Sequence, residues 1–90
     1  MTALQVAPSP SRGGVAVSFT SPVQTVARVE IFDVSGRLIQ RLPDTMVLRG
    51  VNTLRWDGKG GSGKSVASGV YFARIWVGGS ERLERFVIAR

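Results

Sequence analysis

Apolar and polar residues alternate with a period of two through most of this chain, in short runs broken by Gly, Pro and Ser. In Val15-Ala16-Val17-Ser18-Phe19-Thr20, residues Val15, Val17 and Phe19 share one face. That is the mark of a strand with one side on a core. Ala27 to Asp33 repeats the pattern, with Ala27, Val29 and Ile31 set against Arg28 and Glu30. Gly69 to Val77 is the longest run, with Tyr71, Ala73, Ile75 and Val77 opposite Phe72, Arg74 and Trp76. Leu4-Gln5-Val6, Leu38 to Leu42, Val51 to Trp56 and Glu81 to Ile88 supply the remaining strands.

The punctuation agrees. Pro8-Ser9-Pro10, Ser21-Pro22, Val34-Ser35-Gly36-Arg37, Arg49-Gly50 and Gly78-Gly79-Ser80 are turn signals between the runs. Pro43-Asp44-Thr45 opens a loop in which Met46-Val47-Leu48 is apolar and suited to cover a sheet edge. No stretch has a helical period. Seven strands at about 8–12-residue spacing predict an all-β antiparallel sandwich.

One segment argues for something else. Gly58-Lys59-Gly60-Gly61-Ser62-Gly63-Lys64-Ser65 satisfies the phosphate-binding P-loop pattern G-x-x-x-x-G-K-[ST]. That loop works only when a helix N-terminus comes after it. Here Ser68-Gly69 would break such a helix within two turns, and Val70 onward favours strand. The apparent metal-binding strand, Val29 to Asp33, precedes the loop, whereas nucleotide hydrolases carry it afterwards. The sequence therefore predicts a glycine-rich connector and no nucleotide site. Asp57 is placed to accept bonds from the N–H groups behind it in an Asx-turn. Calcium is not expected in this loop, since Asp57 is its one acidic residue and Lys59 and Lys64 repel cations.

Composition narrows the chemistry. The 90 residues make one domain, too small for a layered α/β enzyme. No Cys or His is present, which removes thiolate nucleophiles, Cys/His zinc sites and His-based triads. The carboxylates fall in separate segments, and Glu30 and Asp33 point to opposite faces of a regular strand. No enzyme activity, cofactor or metal is expected. Twelve Lys and Arg against six Asp and Glu give a net charge of +6. The cations are spread along the whole chain, without the clustered footprint of a nucleic-acid surface, so no nucleic-acid partner is expected. No apolar run is long enough to span a membrane as a helix. Residues 1–10 lack the basic start and apolar block of a signal peptide.

The segments Phe32-Asp33-Val34-Ser35-Gly36-Arg37-Leu38-Ile39 and Trp56-Asp57-Gly58, then Gly63, then Val66-Ala67-Ser68-Gly69-Val70-Tyr71-Phe72-Ala73-Arg74, carry a resemblance. The chain resembles the Ig-like domain shared by the flagellar hook-capping protein FlgD and the C-terminal type A sorting domains of the bacterial type IX secretion system. Pro8 and Pro10 stand where such domains show Pro-Asn-Pro, and Phe32 replaces the usual Tyr before Asp33. The connector here is basic where the family's is often acidic, and the chain ends in one Arg where the family's end is Lys-rich. The resemblance implies an Ig-like sandwich in which Trp56 and Tyr71 fill the core, Asp33 and Asp57 belong to the motif, and Gly36, Gly58, Gly63 and Gly69 occupy turns.

It also implies a role. Residues 1–90 would be a single C-terminal domain of a longer protein, secreted or held at the bacterial cell surface after passage through the periplasm. Its partner would be the secretion machinery, or another domain or subunit, reached through an edge strand. The strand Glu81 to Arg90 is the natural recognition element, with Arg82, Arg85 and Arg90 adding charge. The alternative is a structural Ig-like accessory domain, for FlgD-like assembly or carbohydrate adhesion, in which Trp76 is exposed beside Phe72 and Arg74. A second sheet surface or the 43–50 loop would otherwise cover Trp76.

Overall fold

The computed structural model describes residues 1–90. Eight strands form: β1 (Thr2–Ala7), β2 (Val15–Ser21), β3 (Thr25–Asp33), β4 (Leu38–Arg41), β5 (Thr45–Val47), β6 (Gly50–Trp56), β7 (Gly69–Val77) and β8 (Ser80–Ile88). They make a three-stranded sheet, β1-β2-β6, and a five-stranded sheet, β4-β3-β7-β8, with β5 also paired to β3. All these pairings are antiparallel. The alternating residues converge as the sequence requires: Val15, Val17 and Phe19 from one sheet and Val29, Ile31, Ala73 and Ile75 from the other are buried in one core.

The strand count differs from seven because Thr45–Val47 pairs with the start of β3, through Thr25↔Val47 and Ala27↔Thr45. Val47 enters the core while Met46 stays exposed. Three residues are too few for alternation to be visible, so the segment reads as an apolar loop. β4 and β5 thus share one side of β3, β4 along its end and β5 along its beginning.

Three aromatic side chains close one end of the core. Trp56, Tyr71 and Phe86 lie with ring centroids 6.0–6.2 Å apart in tilted and edge-on arrangements, the geometry that aromatic quadrupoles favour. Their polar tips are satisfied. Trp56 Nε1 donates to the Lys59 carbonyl at 2.9 Å and Tyr71 Oη to the Ala67 carbonyl at 2.7 Å. Burial also raises the Tyr71 phenol above its ordinary pKa.

Two carboxylates set the turns at their motif positions. Asp33 Oδ1 accepts from Ser35 N (2.9 Å), Ser35 Oγ (2.6 Å) and Arg37 N (3.0 Å), fixing the β3–β4 hairpin. Asp57 Oδ1 accepts from Lys59 N at 3.0 Å, the Asx-turn expected. Gly58 comes next with φ +79°, and a Cβ there would lie 2.7 Å from the Gly13 carbonyl carbon. Only glycine fits that approach. Gly69 is not a turn residue: its φ is not positive, and it opens β7. Its value to the motif is as a strand start, paired with Ile88.

Gly58→Ala combines a left-handed φ with a backbone clash and is expected to cost at least about 2 kcal/mol. Gly63→Ala, with φ +83° and open space around it, should cost about 1 kcal/mol. Urea unfolding of both variants checks the ranking. Hydrogen bonds from Ser35, then those from the Ser35 and Arg37 backbone, hold the Asp33 carboxyl below its usual pKa. Its contribution is therefore complete above the unfolded value of about 4 and lost as pH falls through the folded value. Asp33→Asn should flatten the acid limb of a pH–stability curve below about pH 4.

Candidate functional site

The glycine-rich connector bonds to itself and to the neighbouring hairpin. Gly60 N donates to Lys64 O, Gly63 N to Gly60 O, Gly61 N to Ile39 O and Val66 N to Gly58 O, all within 3.1 Å. Several of the N–H groups that a P-loop would aim at phosphate, Gly61 and Gly63 among them, are instead bonded inside the protein. Lys59 and Ser65 form a bridge across the loop, and strand β7, not a helix, comes next. The loop borders an open cavity of about 520 Å³ between itself and the β3–β4 hairpin, with Asp33, Arg37, Lys64 and Tyr71 among its lining.

Arg90 sits behind this connector. Its backbone N donates to Ser68 Oγ (2.9 Å), Nε to Val66 O (2.7 Å), Nη1 to Arg12 O (2.8 Å) and Nη2 to Gly58 O (3.4 Å). One guanidinium thus gathers three loop carbonyls. The planar fork of Arg suits this geometry, and Lys would not reproduce it. Nothing in the alternation of β8 signals it, because the signal lies in carbonyls from two distant segments.

β8 borders the five-stranded sheet on one side. Its far end is covered. Ser11 N donates to Val87 O (2.9 Å), Ala89 N to Ser11 O (2.7 Å), and Val87 N to Ser9 Oγ (3.0 Å). Pro8 and Pro10, both preceded by cis peptide bonds, flank the Ser9 that makes the last of these contacts. Val87 therefore turns its N–H and C=O away from β7. Strand geometry makes Glu81, Leu83 and Arg85 do the same. Their backbone groups bond to no strand, although β1 packs nearby and Arg82 Nη2 donates to the Met1 carbonyl at 3.4 Å, so the unbonded edge runs from Glu81 to Arg85, not to Arg90. Glu81, Arg82, Leu83 and Arg85 are exposed.

The outer face of the same sheet carries Phe32, Phe72, Arg74 and Trp76, all half-buried. The Arg74 guanidinium lies 5.3 Å from the Phe32 ring centroid and 5.7 Å from that of Trp76. Each such contact contributes about 0.5–1 kcal/mol at a partly exposed site. Arg74 Nε also lies 3.2 Å from Glu81 Oε1, an ion pair whose geometry falls short of a hydrogen bond. Phe32, Phe72, Arg74 and Leu83 border a shallow apolar depression of about 230 Å³. Residues 45–47 join the sheet beside β3, while Asp44 of the 43–50 loop borders a surface depression together with Arg28 and Trp76. The site residues thus divide: Arg82, Arg85 and Trp76 share the β7–β8 region, while Arg90 belongs to the connector. No three potential metal ligands come together.

The model of the FlgD Ig-like domain family matches residues 2–76. Among solved structures, a domain of PorZ, described as an essential bacterial surface component of the type IX secretion system of Porphyromonas gingivalis, is 26% identical with a TM-score of 0.68. That likeness covers 97% of this chain and 11% of PorZ. Dimeric latent PorU from the same organism is 20% identical with a TM-score of 0.77, over 96% of this chain and 9% of that one. FlgD from P. aeruginosa is 23% identical with a TM-score of 0.63, over 96% of this chain and 67% of that one. This chain thus spans about a tenth of PorZ and PorU. No curated protein matches it. With the matched region running from the first strand into the seventh, the chain belongs to the FlgD Ig-like domain family.

Proposed function

We propose that this domain is a non-catalytic C-terminal sorting module that directs a secreted bacterial protein through the type IX secretion system to the cell surface. The observation that carries the reading is the likeness, along 97% of the chain, to a domain of a type IX surface component. The open edge of β8 supplies the mechanism. The outward N–H and C=O groups of Glu81, Leu83 and Arg85 bond to an incoming strand, and Arg82 and Arg85 add charge complementarity to that contact.

Deleting the end of the chain is a poor test, because Phe86 and Ile88 are core residues and the domain would unfold. A better one appends residues 1–90 to an exported reporter in cells with and without a working type IX system. Surface display only in competent cells is expected; equal retention in both cells would sink the reading. Leu83→Pro removes one outward donor at an edge position where proline is tolerated. It should lower display by up to about tenfold, the worth of one hydrogen bond.

The outer face favours a second reading, a structural accessory domain for FlgD-like assembly or carbohydrate adhesion. There Arg74 lies between the Phe32 and Trp76 rings, a surface on which sugar rings stack. Polysaccharide titration should then change tryptophan emission, and Trp76→Phe should abolish the change. An unchanged response in the variant removes the adhesion reading.

A further inference from the structure

The open part of β8 reads Glu81-Arg82-Leu83-Glu84-Arg85. It is bounded on one side by the Gly78-Gly79 turn and on the other by the Ser9–Ser11 cover. We infer that this segment pairs with the same segment of a second copy of the chain, antiparallel about a two-fold axis at Leu83, joining two five-stranded sheets edge to edge. The inference goes beyond the sorting reading and does not need it.

Charge carries the argument. Antiparallel pairing centred on Leu83 sets Glu81 opposite Arg85 of the second copy and Arg82 opposite its Glu84, and the symmetry repeats both pairs. All four cross-strand charge pairs are attractive, two on each face of the joined sheet. Sliding one strand by two residues in either direction, the smallest shift that keeps hydrogen-bonded residues opposed, brings Arg82 against Arg82, or Glu84 against Glu84. Parallel in-register pairing sets every charge against its like. Opposite charges stabilise cross-strand neighbours and like charges oppose them, so one register is selected. Edge strands commonly carry charge to keep other chains away. Here the signs are ordered so that, of the ways two copies can pair, the antiparallel one centred on Leu83 is favoured.

The backbone agrees. Glu81, Leu83 and Arg85 are the residues whose N–H and C=O groups face outward. In this register Leu83 meets Leu83 and Glu81 meets Arg85 as hydrogen-bonded pairs. The pairing stops where it must, because the next outward residue, Val87, is already bonded to Ser9 and Ser11. Glu81 gives Oε1 to Arg74, which leaves Oε2 for the Arg85 of the second copy. Leu83, 54% exposed, is covered by its own symmetry mate. An isologous contact of this kind closes on itself and makes a dimer, not a fibre.

The test is a pair of charge-swapped domains of residues 1–90. One carries Glu81→Arg and Glu84→Arg, the other Arg82→Glu and Arg85→Glu. Circular dichroism and thermal melting first establish that both fold. Sedimentation equilibrium over a concentration series is expected to give a monomer–dimer equilibrium for the unaltered domain. Each variant alone should dissociate at least about tenfold more readily. An equimolar mixture should recover a dimer, since every cross-strand pair is again attractive. Amide exchange should slow at Leu83 in the dimer and not in either variant alone. A monomer at every concentration overturns the inference. So does a dimer that survives in both variants, or a mixture that stays monomeric. None of these outcomes bears on reporter export, so the two ideas fail separately.

Discussion

The structure depends on two buried aromatic side chains whose polar tips must leave the core to be satisfied. Trp56 and Tyr71 come from different sheets, pack against Phe86, and each reaches a carbonyl of the same connector. An unbonded indole N–H or phenol in that position would cost about 1–3 kcal/mol. The cheapest solution brings the connector back over the end of the sandwich, with Lys59 O above one ring and Ala67 O above the other. That path demands a tight reversal directly after Trp56. Asp57 and Gly58 provide it, and Gly58 passes so close to Gly13 that the β1–β2 segment is drawn in as well. Arg90 then bonds two carbonyls of this path, those of Gly58 and Val66, together with the Arg12 carbonyl.

The motif residues that reveal the family are the ones that solve this problem. Trp56, Asp57, Gly58 and Tyr71 hold the connector, and Asp33 holds the hairpin beside it. None of them borders the open stretch of β8. What is shared with FlgD-type domains is the frame, and the region that the family model matches ends at residue 76, before the open stretch of β8. The net charge of +6 fits this division. Arg28, Arg37, Arg41 and Arg74 are paired with carboxylates, Arg90 with carbonyls, and no single basic patch results.

Much of the frame was legible because sandwich strands bury alternate residues. Val15 to Phe19, Ala27 to Ile31 and Tyr71 to Val77 could be oriented from their period alone. The connector was legible from the residues after it: a loop before Ser68-Gly69-Val70 has no helix to complete a phosphate site. β5 was not legible, since its three residues carry no period and its partner lies twenty residues back. The resemblance puts Gly69 in a turn, whereas the alternation starts a strand there, and the structure agrees with the alternation. The open edge was seen as reaching Arg90 because the bonds that shorten it come from Ser9 and Ser11. A strand's own pattern holds no information about a cover supplied from the other end of the chain.

That cover has a temporal consequence. Ser11 is bridged to Ile88, and Arg90 to Arg12, so the first turn of the domain waits for its last strand. Contacts so far apart in sequence are slow to form, since the closure entropy of the whole domain comes before any reward. During synthesis the three-stranded sheet has all its strands once β6 has emerged. The aromatic closure waits for Phe86 and the seal over β8 for Val87 to Ala89. Completion of the domain therefore reports that its final strand has been delivered.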